Sequence, residues 1–155
     1  MPSISIKSPV GNLTICESEG KVRSLDWQDV SENIGTSSES NVLQEAAHQL
    51  NAYFAGTLKT FDLPLAPKGS EFHQSVYSAM SAIPYGNTRT YGDIAKDLKS
   101  YGQPVGQACG ANPIPIIIPC HRVLSAQGLG GFSGSGGVQT KIALLKLEGG
   151  YPFLV

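Results

Sequence analysis

Residues 112–123 read Asn-Pro-Ile-Pro-Ile-Ile-Ile-Pro-Cys-His-Arg-Val, and this stretch decides how the second half of the chain folds. Its three prolines each fix φ and remove a backbone donor, so the segment cannot form an ordinary helix. The isoleucines between them favour burial. We therefore expect an extended, buried segment that delivers Cys120 to a fixed place.

The triplet Cys120-His121-Arg122 ends this segment and has two interpretations. A free thiol with a pKa of about 8.5 is mostly protonated at neutral pH, so a nucleophilic cysteine needs a nearby base or positive charge, which His121 and Arg122 could supply. Adjacent side chains on an extended segment point to opposite faces, so a thiol–imidazole contact needs a turn after Pro119 or a bridging water. Alternatively, Cys120 is a small buried hydrophobe, His121 a core histidine and Arg122 a surface ion-pair partner.

Two short helices are predicted upstream, over residues 90–98 and about 103–110, with a Ser-Tyr-Gly turn between them. This arrangement favours a helix-turn-helix. The second helix is rich in small or compact residues, namely Pro104, Val105, Gly106, Ala108 and Gly110. Small side chains would let its backbone enter a DNA minor groove about 6 Å wide, although close helix packing is the alternative reason for them.

Other segments on either side follow simpler patterns. Ser70 is the expected cap of a helix that stops at Pro84. Residues 128–137 contain six glycines, and a final helix that ends at Gly149 follows them. The apolar positions expected to organise this last helix are Val138, Ile142, Leu145 and Leu147.

The N-terminal part of the chain predicts a small sheet covered by one helix. Residues 3–7, 13–17 and 22–27 alternate apolar and polar side chains, which is typical of an antiparallel meander. Helical spacing then runs from Val42 to Gly56. Pro64, Pro67 and Gly69 mark a boundary, so we expect an N-terminal domain over residues 1–66 and a C-terminal domain over residues 70–155.

Composition excludes several classes of protein. The 155 residues are 41% hydrophobic and 15% charged, which is an ordinary globular balance and not that of a disordered chain. The formal net charge of −1 excludes a strongly basic nucleic-acid coat. Residues 1–70 carry five basic and eight acidic groups, and residues 71–155 carry six and four, so a nucleic-acid face belongs in the second half.

The lengths of the apolar segments and the spacing of the cysteines indicate where the protein works and which structural cofactors it lacks. The longest apolar stretch, residues 113–119, is far shorter than the roughly 20 residues that cross a bilayer, and the N-terminus has no signal-peptide core. We expect no membrane association and a soluble intracellular protein, cytoplasmic or, in a eukaryote, nuclear. Cys16, Cys109 and Cys120 show no metal-ligand spacing, so neither a disulfide framework nor a zinc site is predicted.

Three blocks of this sequence together resemble one family. They are Tyr-Gly-Asp-Ile-Ala at 91–95, the stretch at 112–123 quoted above, and Lys141 with Leu-Leu-Lys-Leu-Glu-Gly at 144–149. These blocks resemble those of the O6-alkylguanine-DNA alkyltransferases, the methylated-DNA–protein-cysteine methyltransferases. The resemblance covers roughly residues 72–150, and residues 1–66 match the family's variable N-terminal domain only loosely. It implies an α+β fold, with a small ribonuclease-like N-terminal domain and a mostly helical C-terminal domain.

The resemblance also implies a reaction. Guanine alkylated at O6 is rotated out of double-stranded DNA into a pocket, and Cys120 takes the alkyl group permanently, so each molecule acts once and needs no cofactor. His121 is then the base that accepts the thiol proton through water, and Glu148 orients the imidazole. Asn112 fixes the active-site turn. We also expect the protein to work as a monomer.

The same resemblance assigns residues to the substrate and to DNA: Tyr91, Gln103, Gly106, Ala108, Arg122, Val123, Phe132 and Ser133. The Tyr91 hydroxyl would donate to the guanine ring, the Val123 carbonyl would accept from the exocyclic amine, and the segment at Phe132 and Ser133 would close over the base. Two positions depart from the family pattern. Phe132 stands where a tyrosine is usual, and Gln103 stands where an arginine normally fills the gap left by the flipped nucleotide.

Other interpretations stay open at this point. Glu148 alone is typical of an exposed carboxylate at a helix end, and Tyr91 of an amphipathic helix start. A non-catalytic protein that binds the lesion and flags it for another pathway is the main alternative function, although such proteins generally lack the cysteine that is present here as Cys120. A Cys/His hydrolase unrelated to DNA is a third possibility, and nothing in the sequence supplies its pocket signature.

Overall fold

The structure is a computed structural model that describes residues 2–27, 40–126, 128–132, 134 and 136–149. The chain divides into two compact units, Met1–Lys68 and Gly69–Val155. The first unit holds a three-stranded sheet and one helix, and the second holds four helices and a two-stranded sheet among the described residues. The expected α+β class is confirmed.

The first unit is an antiparallel meander covered by a helix. Its strands β1 (Ser3–Ser8), β2 (Gly11–Ser18) and β3 (Lys21–Asp26) pair in sequence order. Helix α1 (Asn41–Phe54) packs on all three strands. Its buried face consists of Leu43, Ala46, Gln49, Leu50 and Tyr53. The period-two and helical patterns therefore predicted this unit well, because in both elements the buried positions repeat with the period of the backbone.

The second unit begins with three helices, and the first two of them pack against the third. They are α2 (Glu71–Ser81), α3 (Tyr91–Asp97) and α4 (Gly102–Gly110), and both α2 and α3 contact α4. Ser70 caps α2, with its hydroxyl accepting from the His73 amide at 3.1 Å. Thr90 and Asp93 form a reciprocal capping box at the start of α3. The turn at residues 98–101 joins α3 to α4, as the sequence predicted for a helix-turn-helix.

The segment before Cys120 is buried as expected, but it is not extended. Ile118 donates its amide to the Ile114 carbonyl at 2.9 Å, so the chain closes into a tight turn. Ile116 at its tip has a φ of +74°, a conformation that costs a β-branched residue on the order of 1–3 kcal/mol. The Asn112 amide holds the turn from inside, accepting from the Ile114 amide and donating to the Ile118 carbonyl, both at 2.9 Å. The Asn112 side chain thus supplies one donor and one acceptor inside a segment whose three prolines have no backbone N–H.

After the turn, Cys120–Arg122 form one turn of 3-10 helix that leads into β5 (Val123–Leu124). Strand β5 pairs in parallel with β4 (Arg89–Thr90), a two-residue pairing too short to leave a sequence pattern. Helix α5 (Val138–Glu148) contacts the 3-10 turn and ends at Gly149, which has a left-handed φ of +71°. No helix within the described ranges is long and apolar enough to cross a membrane.

The buried face of α5 differs from the predicted one. Val138 is exposed, and the buried positions are Thr140, Lys141, Leu144, Leu145 and Glu148. The apolar pattern misplaced this face because two of its inward residues are charged. Those two residues belong to the candidate site.

Candidate active site

The carboxylate of Glu148 is the centre of a buried polar cluster. It accepts from Arg122 Nε at 2.8 Å and from Arg122 Nη2 at 3.0 Å, a bidentate arrangement, and it lies 2.7 Å from His121 Nε2. Arg122 also donates through Nη1 to the Ile83 carbonyl at 2.6 Å. All three side chains are less than a tenth exposed. Pairing and hydrogen bonding are what make such buried charges tolerable.

The hydrogen bond to Glu148 fixes the protonation state of His121. An ionised carboxylate paired with Arg122 can only accept a hydrogen bond. His121 Nε2 therefore carries the ring proton and donates the hydrogen bond to Glu148. Burial lowers the pKa of His121 below its ordinary value, and the hydrogen bond that His121 donates to the Glu148 carboxylate opposes that effect only in part. The imidazole is therefore neutral at pH 7. Its other nitrogen, Nδ1, is buried without a hydrogen-bond partner among the described residues and is the free basic site.

Cys120 precedes His121 on the 3-10 turn and lines a cavity of about 420 Å³. Burial raises the pKa of the Cys120 thiol, whereas a hydrogen bond from the Asn112 side chain and the positive charge of Lys141 lower it. Asn112, which holds the turn, thus also acts on its thiol. A buried thiol of this kind is reactive only when a base removes its proton, and the neutral imidazole of the next residue is a candidate for that base.

The remaining walls of the cavity come from three segments of the second unit. They are the start of α3, the C-terminal half of α4 and the glycine-rich segment, which contribute Tyr91, Gly106, Cys109, Gly110, Gly131 and Phe132. Burial raises the pKa of Tyr91, and a hydrogen bond from the Gly131 backbone opposes that effect. The Tyr91 hydroxyl therefore stays protonated and can donate. A cavity of this size, mostly apolar with a few polar groups, is typical of a site for a small organic group.

Glycine at position 130 is required by the approach of Tyr91. A Cβ there would lie 3.0 Å from Tyr91 Cε2 and 3.1 Å from its hydroxyl, and the backbone has a φ of +72°. Only glycine combines this conformation with that contact. The glycine-rich segment can therefore lie directly against the tyrosine ring.

Lys141 is the second charged residue of α5 that turns inward. Its side chain is fully buried, and its ammonium donates to the Val123 carbonyl at 2.6 Å and to the Gly131 carbonyl at 3.0 Å. The ammonium also lies 5.9 Å from the centre of the Tyr91 ring. Burial lowers the pKa of Lys141 to about 8, so it remains mostly protonated at neutral pH. One ammonium thus joins β5, α3 and the glycine-rich segment.

The structure brings most of the predicted residues together and relocates some. One cavity is lined by Cys120, Tyr91, Gly106 and Phe132. The turn before Cys120 is held by Asn112, and the residue after it, His121, is hydrogen-bonded to Glu148. The Val123 carbonyl is bound by Lys141. Gln103 is exposed at the start of α4. Ser133 lies outside the described residues.

Two expectations need correction. Arg122 does not present its guanidinium to an outer surface, because three of its nitrogens are bound to Glu148 and to the Ile83 carbonyl inside the protein. Ala108 is fully buried, since it lies on the face of α4 that packs against the rest of the unit. The outward face of that helix instead presents Gln103 and Gln107, with Gly106 partly exposed.

The sequence assigned no role to two members of the site. Cys109 lines the cavity beside Cys120, and burial raises its pKa to about 12, so it is an unreactive thiol at neutral pH. Lys141 was noted only as part of a terminal block. A signal was available, because Lys141 and Glu148 are separated by two helical turns and so share one face of α5.

Comparisons with known proteins agree over both units. The family model described as "6-O-methylguanine DNA methyltransferase, ribonuclease-like domain" matches residues 3–67, and the one described as "6-O-methylguanine DNA methyltransferase, DNA binding domain" matches residues 71–150. A methylated-DNA–protein-cysteine methyltransferase of Methanosarcina acetivorans is 43% identical, over 92% of this chain and 95% of that protein. The constitutive methylated-DNA–protein-cysteine methyltransferase of Bacillus subtilis is 41% identical, over 92% of both chains.

A solved structure gives the same result. The Mycobacterium tuberculosis OGT, determined in complex with DNA, superposes with a TM-score of 0.82 at 41% identity, over 95% of this chain and 92% of that chain. The two family models and these relatives span nearly the whole sequence. The chain belongs to the 6-O-methylguanine DNA methyltransferase family.

Proposed function

We propose that this protein repairs DNA by direct reversal, moving the alkyl group of an O6-alkylguanine onto Cys120 in a single turnover. The observation that carries the proposal is the position of Cys120: its thiol lines a cavity, and the next residue is a neutral histidine whose second nitrogen is held by Glu148. The curated relatives are named for transfer from methylated DNA to a protein cysteine, which supports the same reaction here.

The chemistry balances within the site. The thiol proton moves to His121 Nδ1 through a water molecule, and the Cys120 sulfur attacks the alkyl carbon on the side opposite O6. The new sulfur–carbon bond forms as the carbon–O6 bond breaks, and that bond's electron pair returns to the guanine ring. The Tyr91 hydroxyl donates to the ring as charge develops on it. The product is a stable thioether, so no step regenerates the thiol.

Glu148 matters to this proposal because it stabilises the protonated form of His121. A neutral imidazole that takes a proton becomes a cation inside the protein, and an adjacent carboxylate stabilises that cation. The Arg122 guanidinium keeps the carboxylate ionised and in place. In this proposal Arg122 is a positioning residue and not a DNA contact.

Double-stranded DNA is the proposed partner. The solved structure of the Mycobacterium tuberculosis relative in complex with DNA supports it, as does the excess of basic over acidic residues in the second half of this chain. The outward face of α4 is the proposed contact, with Gln103 entering the space left by the flipped nucleotide and Gly106 allowing close approach. We further propose that the protein acts as a monomer and, given its three free thiols, in the reducing cytoplasm.

The test is the fate of the lesion. A duplex oligonucleotide with one O6-methylguanine is incubated with excess protein, digested to nucleosides and analysed by chromatography. We expect guanine to replace O6-methylguanine with the wild type and with Cys16→Ser, a cysteine of the other unit, and to see no conversion with Cys120→Ser. Selective binding of the lesion without conversion would instead support the damage-flagging protein.

A further inference from the structure

Among the residues that the structure describes, one aromatic side chain is mostly exposed. Tyr101 is 79% exposed, and the next most exposed large apolar side chain, Val138, is 39% exposed. Tyr101 lies directly before α4, and its side chain makes no capping hydrogen bond to that helix. Folded proteins usually bury most of an aromatic ring, because the ring is a large apolar surface. A ring left in water beside a proposed interface therefore indicates a contact surface.

Tyr101 is continuous with the face of α4 that we propose to contact DNA. It precedes by two positions Gln103, the exposed residue proposed to enter the space of the flipped nucleotide. Two residues span at most about 7 Å, and successive nucleotides of one DNA strand are about 3.4 Å apart along the axis. The two residues therefore lie within about two base steps of each other.

The turn before α4 holds the backbone of Tyr101 in place. The Ser100 amide donates to the Ala95 carbonyl at 2.8 Å, and the Tyr101 carbonyl accepts from the Val105 amide at 3.3 Å. Just before them, Lys99 has a left-handed φ of +55°, which residues other than glycine rarely adopt. A tyrosine on a fixed backbone loses little conformational entropy on binding, because its ring has only two side-chain torsions.

The charges near the ring suit a nucleic acid. Lys96 and Lys99 are exposed at the end of α3 and in the turn that follows it. The acidic residue nearest to Tyr101 in the sequence, Asp97, is paired with Arg89 at 2.8 Å, so its charge is compensated. An aromatic ring beside basic side chains is the combination that binds unstacked bases, because the ring stacks on a base while the cations attract the phosphates.

We propose that the Tyr101 ring stacks on a base that loses its stacking neighbour when the alkylated nucleotide is flipped out. Flipping leaves a gap in the base stack, and apolar side chains stabilise such openings by inserting between bases. Gln103 can form hydrogen bonds with a base edge, but its amide has no aromatic face. Tyr101 provides that face. This inference deepens the proposed function and rests on the base flipping proposed there.

The experiment measures by fluorescence anisotropy the affinity for two duplexes, one with a single O6-methylguanine and one undamaged. Every protein carries Cys120→Ser, so that the lesion is not consumed, and this variant alone is the parent. For Tyr101→Ala we expect at least about fivefold weaker binding of the damaged duplex, the lower end of the effect of one stacked base. Binding of the undamaged duplex should change by less than about twofold, because nonspecific binding is mainly electrostatic.

Two further variants separate stacking from other effects. Tyr101→Phe keeps the ring and should bind both duplexes as the parent does. Val138→Ala shortens the other exposed large apolar side chain and should also leave binding unchanged. A stacking contact releases no counter-ion, so the slope of affinity against salt concentration should be the same for Tyr101→Ala and the parent. Urea unfolding checks that each variant is folded.

Equal binding of the damaged duplex by the parent and by Tyr101→Ala would overturn the proposal and leave the exposed ring to a contact with another protein. It would also be overturned if Tyr101→Phe lost as much affinity as Tyr101→Ala, because the hydroxyl and not the ring would then make the contact. Losses of equal size for both duplexes would have the same consequence. All three results would leave the proposed function standing. A parent that binds both duplexes equally, together with a wild type that leaves O6-methylguanine unconverted, would instead refute the proposed function and the role of Tyr101 with it.

Discussion

Glu148 accepts two hydrogen bonds from Arg122, at 2.8 Å from Nε and 3.0 Å from Nη2, although the two residues are 26 positions apart. The pair joins the end of α5 to the turn that carries Cys120. The oxygen that accepts from Nη2, Oε2, also accepts from His121 Nε2. A single ion pair therefore both fastens the turn that carries Cys120 and keeps the proton of His121 on Nε2.

Replacing Glu148 by glutamine should destabilise the protein strongly. The amide would leave the Arg122 guanidinium buried without a counter-charge, and breaking a buried pair in this way typically costs about 3–5 kcal/mol. Chemical denaturation measures the loss. Asp97→Asn is the matched control, because Asp97 pairs with Arg89 at 2.8 Å on the surface, where such pairs contribute about 0–1 kcal/mol. Equal small losses for both variants would contradict the role given to the buried pair.

The pH dependence of transfer should follow His121. Burial lowers its pKa below the ordinary value of about 6.5, so the base stays neutral at pH 7 and transfer should weaken only at more acidic pH. The unfolded chain binds this proton more readily than the folded one, so stability should also fall as the pH drops below about 6.5. Single-turnover rates between pH 5 and 8 measure the first effect, and urea unfolding over the same range measures the second.

The role of His121 as the base is tested by His121→Gln, which keeps an N–H donor for Glu148 and removes the basic nitrogen. We expect its transfer rate to fall about 10²–10⁴-fold, the usual contribution of a general base. His48→Gln, an exposed histidine of α1, should transfer at the wild-type rate. A His121→Gln variant as fast as the control would show that another group accepts the thiol proton.

Local patterns were sufficient to predict most of the elements. Ser70 before α2, Thr90 with Asp93 at α3 and Gly149 after α5 mark helix ends through hydrogen bonds to nearby backbone or through left-handed φ, and such signals are contained in a few neighbouring residues. The strands of the first unit were equally predictable from their alternation. These elements depend on short-range physics.

The residues that were misplaced depend on contacts between distant parts of the chain. The segment before Cys120 looked extended because prolines exclude a helix, but the Asn112 side chain closes it into a turn at a strained Ile116. Arg122 was expected at a DNA surface, and only its pairing with Glu148 turns it inward. Tertiary pairing of this kind leaves no local pattern, so the sequence could indicate the members of the site but not their partners.

Gln103→Arg should strengthen action on duplex DNA. Gln103 is exposed on the first turn of α4, and an arginine there adds a cation and a planar group that can stack on bases. We expect an increase of about 1 kcal/mol in DNA affinity, roughly fivefold, with a faster transfer rate on duplex substrate. Gln107→Arg adds the same charge to another exposed position of the same helix. An equal gain from both variants, or none from Gln103→Arg, would contradict insertion at position 103.

Gly106→Leu should slow methyl transfer without lowering the stability of the protein. A Cβ at Gly106 would meet no heavy atom of the described residues within 4 Å, so the protein tolerates a side chain there, and leucine is about 0.5–1 kcal/mol better than glycine in a helix. Gly106 nevertheless lines the cavity, so the added side chain should slow methyl transfer from free O6-methylguanine base. Gly102→Leu, an open position outside the cavity lining on the same helix, is the control. A Gly106→Leu variant that transfers normally would place the base elsewhere.

The most direct test of the central claim is the mass of the intact protein after incubation with duplex DNA containing O6-methylguanine. The account predicts a single added methyl group per molecule, located by peptide mapping on Cys120 and absent from Cys120→Ser. An unchanged mass, or a methyl group on Cys109 or Cys16 in the wild type, would contradict the assignment of Cys120 as the acceptor.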